Sequence, residues 1–265
     1  LAVLLSWAGD LINAIVWHRV NRTSNLQTRF KTSYWAWSAA RIFRYIPGKA
    51  AGYYVRHKLQ STHVSKSVYH SLTEFVLYLV AILWLISLYL ALLVPAYSII
   101  ALVCATASIV MLFAHPIVQT IEGPLVRRLK LAPPSKSLLS PRQMMLFSVS
   151  LTPALLLHGT AFYLIVSIGM GLEDFDLLQA TVTLFISGIL AQLSLIAPGG
   201  LGVREAAVAL IMSLNGFEEN LALAAAVIAR IVLLTSELLN VATAAMYGRI
   251  AERLGSKTPV VIRSE

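Results

Sequence analysis

The chain has 265 residues, of which 58% are hydrophobic and only 12% charged, and its mean hydropathy is +0.75. A soluble domain carries about 25% charged residues, so the composition excludes an ordinary soluble fold and points to a polytopic α-helical membrane protein. The net charge of +9 does not call for nucleic acid, because basic cytoplasmic loops produce the same excess in membrane proteins.

The chain opens with LAVLLSWAGDLI, apolar from the first residue and without a basic n-region, and reads as a helix cut part-way rather than a signal peptide. Apolar segments at 1–18, 68–93, 95–115, 142–170 and 220–248 are long enough to cross a bilayer, which takes about 20 residues. About five full transmembrane helices are therefore expected. None of them alternates apolar and polar residues as a barrel strand would. Cys104 is the single cysteine, so no internal disulfide framework is possible. The six histidines show no metal-ligand spacing such as HExxH, and neither a metal nor a cofactor is expected.

Segments 33–57 and 177–214 are also largely apolar, but each is interrupted, at Pro47-Gly48 and at Pro198-Gly199. Lysine and arginine crowd the loops 19–32, 56–67 and 116–142 and the tail 249–265. The connections near Val94-Pro95, 171–176 and 215–220 contain none. By the positive-inside rule the basic loops and the C-terminus are cytoplasmic. Segment 33–57 then begins and ends inside, and segment 177–214 begins and ends outside. Neither is a single crossing. Two re-entrant hairpins entering from opposite faces satisfy this pattern, whereas helices merely kinked by Pro and Gly do not. Paired Gly/Pro-interrupted segments in two halves are also the mark of inverted-repeat transporters. One transmembrane domain over 1–248 is expected, with halves 1–129 and 143–248 joined by the linker 130–142.

The breaks themselves carry the candidate site. Proline removes a backbone donor and ends a helix, and glycine permits positive φ and close approach. The second half of each broken segment then starts inside the membrane with free N–H groups and a positive dipole end, which favours an anion. The expected headgroup or phosphate-binding residues are Pro47, Gly48, Lys49 and Arg56 in the first hairpin, with Pro198, Gly199, Gly200, Gly202, Arg204 and Glu205 in the second. Arg204 and Glu205 have a second reading, as a capping pair. Ionisable residues within spans are functional candidates by default, and Glu74, Arg230 and Glu237 are expected to line the cavity. For Arg230 and Glu237 the alternative is a structural ion pair, and for Glu74 an interfacial charge. Arg41 and Arg44 read as markers of the cytoplasmic interface, and Asp10 and His158 as packed polar residues rather than ligands.

With these residues in view, the chain resembles the transmembrane region of the lysylphosphatidylglycerol synthase family, flippase-like integral membrane proteins. The resemblance rests on RYIPGKAAGYYVR, then Glu74, then APGGLGVREAA, in that order. It implies a module that moves a phospholipid or polyprenyl-phosphate-linked glycolipid across a prokaryotic plasma membrane. Its partners would be membrane lipids and, as some relatives imply, a glycosyltransferase. Only a short tail follows residue 248, so the soluble aminoacyl-transferase part of bifunctional members is not expected here. The alternatives are a lipid-linked transferase embedded in the membrane, with Glu205 or Glu74 as base, and a non-transporting partner of a glycosyltransferase.

Overall fold

The computed structural model describes residues 1–23, 28–46, 50–60, 64–93, 95–128, 139–172, 174–194 and 197–255. Among them every regular element is helical. In chain order these are α1 (Ala2–Thr23), α2 (Phe30–Phe43), α3 (Ala50–Gln60), α4 (Val64–Leu93), α5 (Ser98–Arg128), α6 (Pro141–Tyr163), α7 (Leu177–Leu193), α8 (Val203–Leu214) and α9 (Glu219–Gly255).

Local sequence starts and stops several of these helices. Ser140 and Gln143 form a reciprocal capping box ahead of α6, with Pro141 at the first helical position, where its missing N–H costs nothing. Helix α6 thus begins within the expected linker. The carboxylate of Asp176 accepts the Gln179 N–H at 2.7 Å and opens α7. Helix α7 ends at Leu193, well short of the proline that was expected to stop it. Pro198 instead begins a short 3-10 turn, Pro198–Gly200, that leads into α8.

Three stretches are long and apolar enough to cross a membrane: His70–Leu92, Pro141–Gly169 and Glu219–Ile250. They coincide with three of the five expected spans. The other two correspond to α1, whose apolar run carries buried Asp10 and Asn13, and to α5, whose apolar part is Ser98–Phe113. The surface is inverted relative to a soluble protein. Ile99, Leu102, Phe113, Leu88, Ile231 and Leu238 are exposed, while Asp10, Arg56, Arg230 and Glu237 are buried. Exposed apolar surface on this scale belongs against lipid, and the protein is an integral membrane protein.

The interrupted segments fold as two helical hairpins. Helices α2 and α3, of 14 and 11 residues, pack against each other, as do α7 and α8, of 17 and 12. At about 1.5 Å per residue none of the four reaches the roughly 30 Å of a hydrocarbon core. The long helices hold the hairpins together. Helix α1 packs on α2, α6 and α9, and α4 packs on α3, α6 and α7, so the two sequence halves interleave. Close approach is built in where α6 meets α7. A Cβ on Gly159 would collide with Thr181.

Candidate functional site

A cavity of about 240 Å³ lies between the two hairpins, walled by residues of α1–α4, α6, α7 and α9 and by the second break with the start of α8. Its first wall comes from α2 and α3. Arg41 and Arg44 stand three apart on α2 and at its C-terminal cap, hence on one face. The Arg41 guanidinium lies 3.2 Å from both Asp10 and Glu237 and stacks over the Trp37 ring. Arg44 pairs with Glu237, and the Tyr45 hydroxyl donates to the other Glu237 oxygen at 3.0 Å. On α3, Arg56 donates to Glu74 at 2.6 Å and to Ser71 at 3.0 Å, with its guanidinium over the Trp17 ring. The Trp37 indole N–H donates to the second Glu74 oxygen at 2.8 Å. Thus Glu74 ties α2 and α3 to α4.

Asp10 is the deepest of the acids and is fully buried. Besides Arg41 it accepts hydrogen bonds from Ser236 and Asn240, both at 3.2 Å, and lies 3.4 Å from the His158 ring. An isolated buried carboxylate would be strongly disfavoured, and these contacts from α2, α6 and α9 compensate its charge.

The second wall is the break before α8. Gly199 and Gly200 have φ of 60° and 71°, a region that costs side-chain-bearing residues strain. A Cβ on Gly199 would run into the Tyr45 ring, and one on Gly200 into Ala191. Tyr45 stands two residues before Pro47, so the approach to the first break packs against the second break itself. Arg230 seals the junction. It donates to the Gly199 carbonyl at 3.2 Å, covers the Tyr45 ring and lies 3.4 Å from Glu205.

Arg204 and Glu205, adjacent in sequence, do not act together. Successive helical residues point about 100° apart. Glu205 reaches back to accept the Gly202 N–H at 2.7 Å and faces Arg230. Arg204 faces the cavity, with its guanidinium lying against the bare backbone of Gly188. A Cβ there would come within 2.7 Å of Nη2. Among the described residues, no hydrogen bond or ion pair reaches the Arg204 guanidinium. Among the described residues it is the one arginine lining or adjoining the cavity without a carboxylate partner, since Arg41, Arg44, Arg56 and Arg230 all have one.

Of the residues singled out from the sequence, Arg56, Glu74, Gly199, Gly200 and Arg204 line the cavity. Pro198, Gly202 and Glu205 shape the break without lining it. Pro47, Gly48 and Lys49 lie outside the described residues. Arg230 and Glu237 were expected to line the cavity and instead lie behind its wall. Their charges are engaged there by Glu205 and by Arg41 and Arg44, not by each other. The expectation of an unoccupied α8 N-terminus also changes, because the Glu205 carboxylate already supplies negative charge at that end. Arg41 and Arg44, read from the sequence as interface markers, line the cavity. Asp10 is packed as expected, whereas His158 both contacts Asp10 and faces the cavity. Sequence reading missed Tyr45, Asn13 and Gly188. A polar residue inside an apolar helix was a usable signal for Asn13, but nothing local marks Gly188.

A family model described as the lysylphosphatidylglycerol synthase TM region matches residues 1–238. The chain belongs to that family. No curated protein and no solved structure matches it.

Proposed function

We propose that this chain is a lipid translocase whose cavity receives a phosphate-containing headgroup while the acyl or prenyl tails stay in the surrounding lipid. One observation carries the reading: a cavity between two broken helical hairpins presents an arginine, Arg204, that no carboxylate among the described residues pairs with. A guanidinium offers a planar fork of donors suited to phosphate oxygens. An uncompensated buried charge is costly, and an incoming anion relieves that cost. Membership of a family of lipid-associated membrane proteins agrees with this use.

In this reading the hairpins α2–α3 and α7–α8 are re-entrant, enter from opposite faces and form the moving or gating parts of an inverted repeat. The basic loops and C-terminus face the cytoplasm of a prokaryotic cell. Single cysteines placed at Lys58 and Lys66 should then both react with a membrane-impermeant reagent from the cytoplasmic side, and those at Glu173 and Glu218 from outside. Opposite accessibility within either pair would eliminate the paired re-entrant arrangement.

Reconstitution in liposomes tests the function itself. A headgroup-labelled phospholipid should change leaflet without chemical alteration when the protein is present. Recovery of a modified lipid would make the protein a transferase. Neither movement nor modification would leave it a non-transporting partner, of which a glycosyltransferase is the expected companion.

A further inference from the structure

We infer that His158 and Asp10 form a proton-binding site in the cavity wall, where a proton is taken up together with the lipid head. This rests on the translocase reading and adds to it a coupled ion. The carrying observation is a titratable ring set between a buried acid and the cavity. His158 lines the cavity and is only 5% exposed. Its Nε2 lies 3.4 Å from an Asp10 oxygen, and its Nδ1 has no hydrogen-bond partner among the described residues. Histidine is the side chain whose ordinary titration falls between pH 5 and 8, and ionisable groups inside membrane spans recur in proton relays. Among the described residues that line the cavity, His158 is the only histidine.

Helix α1 brings the acid to the ring. A Cβ on Gly9 would come 3.0 Å from His158 Nε2 and 3.1 Å from the Ala154 carbonyl oxygen, so glycine lets α1 and α6 close on each other beside Asp10. The Asp10 oxygen that faces His158 also lies 3.2 Å from the Arg41 guanidinium, while the other oxygen accepts from Ser236 and Asn240. One carboxylate oxygen thus stands between a fixed cation and a ring that can become one. The remaining surroundings are as follows in charge. Helix α2 contributes Arg41 and Arg44, the latter paired with Glu237 of α9. Glu74 and Tyr78 of α4 line the same cavity, as do Arg56 and Arg204. Helix α7 contains no titratable residue and presents the edge of the Phe185 ring, and α5 adds no described residue to the cavity. On α6 itself Arg142 and Tyr163 stand at the two ends.

These neighbours decide when the proton enters. Nearby guanidinium groups oppose a further positive charge on the ring, and a negative charge arriving in the cavity favours it. With Nε2–H directed at Asp10, Nδ1 carries the lone pair that accepts a proton from cavity water. The imidazolium is then held by Asp10 on one side and by the anionic head on the other. Coupling of this kind is reciprocal, so the proton strengthens lipid binding by the same factor as the lipid strengthens proton binding. Protonated His158 also competes with Arg41 for the shared Asp10 oxygen, which loosens the tie between α1 and the hairpin α2–α3.

The test uses the purified full chain in weakly buffered detergent with a pH-indicator dye, and short-chain phosphatidylglycerol, whose phosphodiester does not titrate between pH 6 and 8. Adding the lipid should draw protons from solution, and the apparent lipid affinity, read from the rise in melting temperature, should be at least about tenfold higher at pH 6 than at pH 8. His158→Gln keeps a donor toward Asp10 but no titratable ring, and should bind lipid without proton uptake and with one affinity at both pH values. Asp10→Asn, which keeps the ring and removes its acid, should also lose the uptake. A wild-type protein that binds no lipid, or binds it without proton uptake, overturns the inference whether or not the variants fold. Unchanged uptake in folded His158→Gln overturns it as well. Leaflet exchange in liposomes separates this inference from the reading beneath it. Lipid-linked proton uptake without exchange supports the proton site and removes the translocase, whereas exchange without proton uptake leaves the translocase and removes the proton site.

Discussion

The two hairpins face each other across one cavity but handle charge in opposite ways. In α2–α3 and the residues beside it, every described arginine that lines the cavity has an acid: Arg41 and Arg44 share Asp10 and Glu237, and Arg56 holds Glu74. In α7–α8 there is a single arginine, Arg204, and among the described residues it has none. The first hairpin also anchors to α1, α4 and α9 through those pairs, while the second is shaped by three positive-φ glycines at its break. One hairpin uses its cations to hold the bundle together. The other keeps its cation available.

Breaking a matched pair should have the largest effect. Glu237→Ala leaves Arg41 and Arg44 short of a counter-charge inside the protein and removes the acceptor of the Tyr45 hydroxyl. A loss of about 3–5 kcal/mol is expected, as when one partner of a buried pair is deleted, read as a steep fall in melting temperature. A melt close to wild type would mean that the first hairpin's ion pairs are not structural.

The glycines should separate into two classes, next in size. Gly199→Ala introduces both positive-φ strain and a collision with Tyr45, and should destabilise by about 1–3 kcal/mol. Gly202 has φ of 80° but open space around its missing Cβ, so Gly202→Ala should cost only the strain, about 1 kcal/mol. Adding Tyr45→Ala should recover part of the loss at position 199 and none at 202. Equal losses at the two glycines, or no recovery, would show that the two breaks do not bear on each other.

Arg204 should show the smallest stability effect and a large functional one. Removing a half-buried cation that no described carboxylate pairs with deletes no pair, so Arg204→Ala should melt within about 0.5 kcal/mol of wild type, or slightly above it. Leaflet exchange should nevertheless be lost, and Arg204→Lys should keep part of it, because the charge remains without the bidentate fork. If Arg204→Ala unfolds the protein as Glu237→Ala is expected to, the contrast between the hairpins fails. Gly188→Ala probes the same point from α7. It crowds the guanidinium without touching its charge, and should lower exchange with little change in melting temperature.

Much of the architecture was legible in the sequence, and the reason is local. Twenty apolar residues span a bilayer whatever lies beside them, so α4, α6 and α9 were visible as runs. Proline and glycine interrupt a helix through their own backbone chemistry, so both hairpins were visible as breaks, although α7 stops at Leu193 before Pro198 is reached. Glu74 was picked out because ionisable residues are expensive in a membrane, and Arg56 because it follows the first break. That expense says they must be satisfied, but not by what.

The partners were decided only by the tertiary structure. Arg44 and Glu237 are 193 residues apart and Arg41 and Glu237 196, so no local pattern joins them. Arg230 and Glu237 were expected in the cavity as ionisable residues of one span, but an acid and arginines from other helices engage them. Arg204 and Glu205 failed as a pair for the converse reason. Neighbours in sequence point in different directions on a helix, one toward the cavity and one back to the Gly202 N–H. Composition, length and backbone chemistry determined that this is a helical membrane protein with two broken segments. Which charges cancel, and hence that among the described residues around the cavity Arg204 alone of the arginines lacks an acid, depends on distances between helices, and those exist only once the bundle has packed.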